Sequence, residues 1–180
     1  MKRRKTIVPY EGKYPLRKLC LSLVAVIAVS GMLSAQQVLF RNYSVNNGMS
    51  SNTVWNIIQD DQGYMWFGTK NGLNRFDGYT FKPCDNPKST NDNIGNNIVN
   101  VVTEGRNGKL WVATAKGLFS YDPHQEVSQR AQPVPASYIH HLVKDGRERL
   151  WFITNGTVYR YQTDKAQLDN LQLQGACIAT

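Results

Sequence analysis

Between residues 51 and 162 the apolar positions fall in short runs broken by polar, glycine-rich stretches. The runs "VWNII" (54–58), "IVNVV" (98–102) and "YIHHLV" (138–143) are rich in β-branched and aromatic residues and have the length of strands. Each is followed by a turn-type tetrapeptide, "DDQG", "GRNG" or "DGRE", and then by a second run, "MWFGT", "LWVAT" or "LWFIT". A further break at "KNG", "AKG" or "TNG" opens a third run, "LNRF", "LFSY" or "VYRY". After the first of these, "YTFKPC" supplies a fourth. In the second run Met65 and Phe67 point to one face and Trp66 to the other, and both faces are apolar. A sheet with one wet face would alternate apolar with polar residues. The pattern therefore predicts short antiparallel strands in sheets covered on both sides.

These elements repeat. With Trp66, Trp111 and Trp151 in register, three units appear, offset by 45 and then 40 residues. Thr69, Thr114 and Thr154 coincide three positions on. Gly63 aligns with Gly108, Gly72 with Gly117, and Leu73 with Leu118 and Val158. Gly68, Ala113 and Ile153 share a column whose available volume is expected to set how closely units pack. Asp60 is answered by Gly105 in the second unit, and Gly63 by Glu148 in the third, where Gly156 also comes one place early. Four strands in 40–45 residues match one propeller blade. The reading is all-β: a partial β-propeller of about three four-stranded blades. It places a lead-in with a first outer strand at 36–50, blades at 51–95, 96–135 and 136–175, and the start of a truncated fourth at 176–180. An open arc of three blades exposes apolar faces, so the chain is expected to be the N-terminal piece of a longer protein and marginal or aggregation-prone alone.

Charge changes the picture only at the N-terminus. The chain carries +8, but Lys2, Arg3, Arg4, Lys5, Lys13, Arg17 and Lys18 stand against Glu11 alone before residue 36, leaving +2 beyond it. A charge that small is no footprint for DNA or RNA. The basic segment leads into "LCLSLVAVIAVSGML" and then "SAQQ", the layout of a secretory signal with cleavage after Ala35. An uncleaved signal anchor is the alternative. Cys20 precedes the apolar run, which argues against a lipoprotein anchor. Export leaves Cys84 and Cys177, which an oxidising compartment permits to pair but which read more simply as unrelated thiols.

Candidate chemistry is sparse. Asp60, Asp61 and Gly63 lack the alternating oxygen ligands and closing Glu of a calcium loop and read as hairpin turn residues. "DQGYMW" resembles part of a sialidase Asp-box, itself a structural turn, without the preceding serine. His140 and His141, adjacent in a strand, are expected to point apart and not to share a metal. Asn52, Asn97 and Ser137 form one variable polar column, and Trp55, Asn100 and His140 another. Such positions beside an inner strand are candidates for the mouth of the propeller, although ordinary turn and edge residues are the simpler reading. Trp55 and His140 offer ring faces to a sugar. No catalytic residue, metal site or cofactor is expected.

The repeat D-x-x-G-x-[LM]-W-x-x-T-x-x-G-L-x-x-[FY]-[DN] resembles that of two-component regulator propellers, the periplasmic sensor regions of hybrid two-component systems in Bacteroides-like bacteria. The first unit carries it through Asp60, Gly63, Trp66, Gly68, Thr69, Gly72, Leu73, Arg75, Phe76, Asp77 and Gly78, and "FRNYSVNNGMSSNTV" is similar to the family's lead-in. The likeness covers residues 38–162. It implies a larger, seven-bladed propeller, an oligosaccharide ligand controlling polysaccharide-utilisation genes, an inner-membrane anchor, a homodimer, and downstream histidine kinase and response-regulator modules. No phosphorelay motif lies in these 180 residues, so this region is not read as an enzyme. A non-signalling exported binding propeller and a fragment of a propeller glycosidase or lyase are the alternatives.

Overall fold

The computed structural model describes residues 39–84, 94–95 and 97–171. The chain divides into two compact units, Met1–Arg41 and Asn42–Thr180, and every described strand lies in the second. Residues 1–35, read above as a signal segment, residues 176–180 and Cys177 fall outside the described residues, and Cys84 is a free thiol.

Among the described residues twelve strands form three four-stranded antiparallel meanders, one for each sequence repeat. The first contains β1 (Val54–Gln59), β2 (Met65–Thr69), β3 (Gly72–Phe76) and β4 (Phe81–Pro83). The second contains β5 (Val99–Glu104), β6 (Leu110–Thr114), β7 (Gly117–Asp122) and β8 (Val127–Arg130). The third contains β9 (His141–Lys144), β10 (Arg149–Thr154), β11 (Thr157–Gln162) and β12 (Gln167–Leu171). Strand β5 lies against β1 and β2 on one side and against β9 on the other, so the first strand of each sheet is where successive sheets meet. This is an arc of three β-propeller blades.

The two apolar faces of each second strand explain the stacking. Trp66 and Leu73 face the second blade and are buried against Val99, Val102, Leu110, Val112, Phe119 and Tyr121. One blade on, Ala113 and Leu118 pack with Ile139, Leu142, Leu150, Phe152 and Tyr161. The same ring contact recurs at both interfaces. Trp66 meets Tyr121 edge to face at 5.8 Å, and Trp111 meets Tyr161 edge to face at 5.7 Å, the geometry that the aromatic quadrupole favours. On the other side of blade one, Met49, Phe76 and Phe81 form a small core with Met65 and Phe67, and Tyr43 of the lead-in stacks its edge on Phe76 and Phe81.

The aligned turn residues have structural work. Asp60 Oδ1 accepts the backbone N–H groups of Gln62 and Tyr64, and its Oδ2 accepts the Trp66 indole N–H at 2.7 Å. Asp145 repeats this with Arg147, Arg149 and, at 2.9 Å, Trp151. Glu148 takes the left-handed conformation that Gly63 has in blade one (φ 63 against 90) and is held there by Lys144. Thr69 and Thr114 are fully buried, and their hydroxyls donate to the carbonyls of Gly72 and Gly117 across two-residue hairpins. In the third blade the hairpin is Asn155-Gly156, both at positive φ, which is why its glycine comes one place early.

Candidate functional site

A cleft of about 340 Å³ opens where the first strands of the three blades meet. Trp55 and Asn56 come from blade one and Asn100 and Val101 from blade two. Tyr138, His140 and His141 come from blade three. The column Trp55, Asn100 and His140 is thus brought to one place.

Local backbone irregularity places these side chains. Val54 pairs with Thr69 and Asn56 with Gly68, so Trp55 is an extra residue without a cross-strand partner. Val99 pairs with Thr114 and Val101 with Ala113, which leaves Asn100 in the same situation. His140 immediately precedes β9 in the equivalent position. An extra residue in one strand kinks it and re-aims the side chain. Here the two extra residues, Trp55 and Asn100, both line the cleft.

Part of the polar lining is spent on joining blades. Asn100 Nδ2 donates to the Ile139 carbonyl at 2.8 Å, and the Tyr138 hydroxyl donates to Asn100 Oδ1 at 2.9 Å. Asn56 Oδ1 accepts the Val102 backbone N–H at 2.9 Å. What is left to face a ligand is the Trp55 ring, the two imidazoles and the Asn56 amide donors, which have no acceptor among the described residues. Trp55 is 59% exposed while Trp66 is fully buried, so the two tryptophans of blade one have different tasks. The His140 ring lies 4.3 Å from that of Tyr138, centroid to centroid. Among the described lining residues none carries a carboxylate. Among the described residues no three His, Cys, Asp or Glu side chains converge as a metal site.

Two expectations are corrected. His140 and His141 are not divergent strand neighbours. β9 begins only at His141, and both imidazoles line the cleft with ring centroids 6.5 Å apart. Asn52, Asn97 and Ser137 do not form a common lining. Asn97 and Ser137 bond the buried Thr114 and Thr154 at 3.2 and 2.7 Å, while Ser50 does this for Thr69 at 3.1 Å. Asn52 instead accepts the Val45 backbone N–H of the lead-in. Sequence reasoning missed Asn56 and Tyr138 as lining residues. The available signal was that the column of Asn56, Val101 and His141, next to the Trp55 column, is polar in two of its three copies.

Comparison with known proteins agrees with this architecture. Residues 48–71 match the two component regulator propeller family. Over 60 residues the chain is 38% identical to histidine kinase P4 of Formosa agariphila, a stretch covering 33% of this chain and 4% of that protein. The extracellular domain of a putative hybrid two component system from B. thetaiotaomicron superposes with a TM-score of 0.65 at 25% identity, over 79% of this chain and 19% of that one. A second such domain from the same organism gives 0.62 at 24% identity, over 72% and 19%, and supports the fold alone. The chain therefore spans only a small part of the relatives it matches. The family match thus falls on the start of the first blade, and the arc of blades as a whole is similar in fold to the extracellular domain of a putative hybrid two component system.

Proposed function

We propose that this chain is the extracytoplasmic ligand-sensing region of a hybrid two-component signalling protein, and that the three-blade cleft takes a glycan-derived oligosaccharide. The observation that carries this reading is the meeting of Trp55, Asn56 and His140 at one cleft, an exposed indole beside polar donors. Sugar rings present apolar C–H faces to an aromatic plane and hydroxyls to amides and imidazoles. The described lining offers an aromatic face, amides and imidazoles, which suit binding, whereas glycoside hydrolysis uses a carboxylate pair. On this reading residues 1–35 direct export to the periplasm, and the full-length protein is anchored in the inner membrane. It adds further blades, pairs as a homodimer and controls polysaccharide-utilisation genes through kinase and response-regulator modules.

The test is calorimetric titration with a panel of oligosaccharides, wild type against Trp55→Ala. The variant should lose at least about tenfold in affinity, roughly 1.4 kcal/mol, with unchanged folding because the ring is exposed. Equal affinities would remove the cleft as the site.

A further inference from the structure

The three repeats differ at one chemically decisive place. In blades one and three the indole N–H of the repeat tryptophan is received by an aspartate six residues upstream, Asp60 Oδ2 at 2.7 Å and Asp145 Oδ2 at 2.9 Å. Blade two has Gly105 there, and its tryptophan has settled onto the glycine. A Cβ on Gly105 would stand 2.7 Å from Trp111 Nε1 and 2.9 Å from Cδ1. Trp111 Nε1 has no acceptor among the described residues. An indole N–H is a donor only, so this one lacks the partner its counterparts have.

Beside it lies an open cleft of about 200 Å³ between the second and third blades. Trp111 forms part of its wall, with Arg106, Asn107 and Lys109 from the β5–β6 turn and Thr163 and Asp164 from the β11–β12 turn. Arg106 and Lys109 are exposed and have no ion-pair partner among the described residues. Two cations, an amide and the Trp111 side chain thus line the cleft together with one acid, Asp164. We propose that this cleft binds the carboxylate of a small organic or sugar acid, which supplies from outside the group that Asp60 and Asp145 supply from within. A guanidinium offers paired donors to a carboxylate and Lys a mobile charge, and the indole edge adds the contact that the other repeats make internally. The site is separate from the three-blade cleft and shares no residue with it.

The experiment follows the indole N–H resonances of the ¹⁵N-labelled full chain, with the Trp111 signal assigned from Trp111→Phe. Glucuronate and acetate should each move that signal saturably, and glucose should not. Tighter binding of glucuronate identifies a sugar acid, and equal binding identifies recognition of the carboxylate alone. The double variant Arg106→Gln/Lys109→Gln, on exposed positions, should weaken binding at least tenfold. Gly105→Asp should abolish it by restoring an internal acceptor. A Trp111 resonance indifferent to both acids, one moved equally by glucose, or a double variant that titrates like wild type overturns the proposal.

Discussion

At the scale of single residues, the repeat aspartates show how one side chain organises a turn and a core ring together. Asp145 receives the Trp151 indole N–H, two backbone N–H groups and the Arg149 side chain. These donors, the indole first, hold its carboxyl well below the usual carboxylate range. The folded-state pKa is therefore below the unfolded one. The resulting stabilisation is complete above the unfolded value of about 4, shrinks as pH falls through that value towards the folded one, and is gone below both. Thermal midpoints of wild type and Asp145→Asn measured from pH 7 down to pH 2 should accordingly differ most near neutrality, and the gap should narrow as the pH falls below about 4. A gap that stays constant over that range would show that the charge plays no part. Cys84 is the opposite case: burial pushes its thiol up to about 11, beside a Tyr121 hydroxyl whose pKa burial also raises. Both groups stay neutral in the core.

Between elements, spacing is set by the smallest side chains. Strand β2 approaches β5 at Gly68, where an added Cβ would lie 2.9 Å from Val99 Cγ1 and 3.1 Å from the Val99 carbonyl oxygen. One of these atoms is backbone and cannot swing aside. Gly68→Val should destabilise the protein by about 1–3 kcal/mol through overpacking, read as a lowered urea midpoint with the slope unchanged. A neutral result would mean that the blades separate freely. Most elements were legible in the sequence, because β-branched and aromatic runs between Asp/Gly turns leave few alternatives. The extra residues at Trp55 and Asn100 were not. Their identities fit an ordinary strand, and the irregularity exists only in the hydrogen-bond register with β2 and β6. That register, not composition, decided where the cleft lies.

For the whole molecule, the balance is between stacked faces and open ones. Ile57 on blade one and Val143 on blade three are 51% and 63% exposed. Val143 pairs with Trp151, on the face of blade three opposite the one through which Leu142, Leu150 and Phe152 pack with blade two. Residues 36–180 expressed alone should therefore self-associate at micromolar concentration, with light scattering showing species heavier than a monomer. A cooperative, monomeric melt would contradict this.

By itself the sequence determined the kind of strand, the kind of turn and the number of blades, because each depends on local chemistry repeated three times: a tryptophan flanked by apolar residues, a threonine closing a hairpin, an aspartate or glycine where the chain reverses. The tertiary structure decided which polar residues are spent and which are left to act. Asn97, Asn100 and Ser137 look alike as variable polar positions, yet their partners come from different strands, and for Asn100 from a different blade. Likewise Trp55, Trp66 and Trp111 are the same residue in similar settings. Only packing makes one an exposed ring, one a satisfied core donor and one a donor without an acceptor among the described residues. Hydrogen-bond pairing across blades is a long-range fact, and no local pattern encodes it.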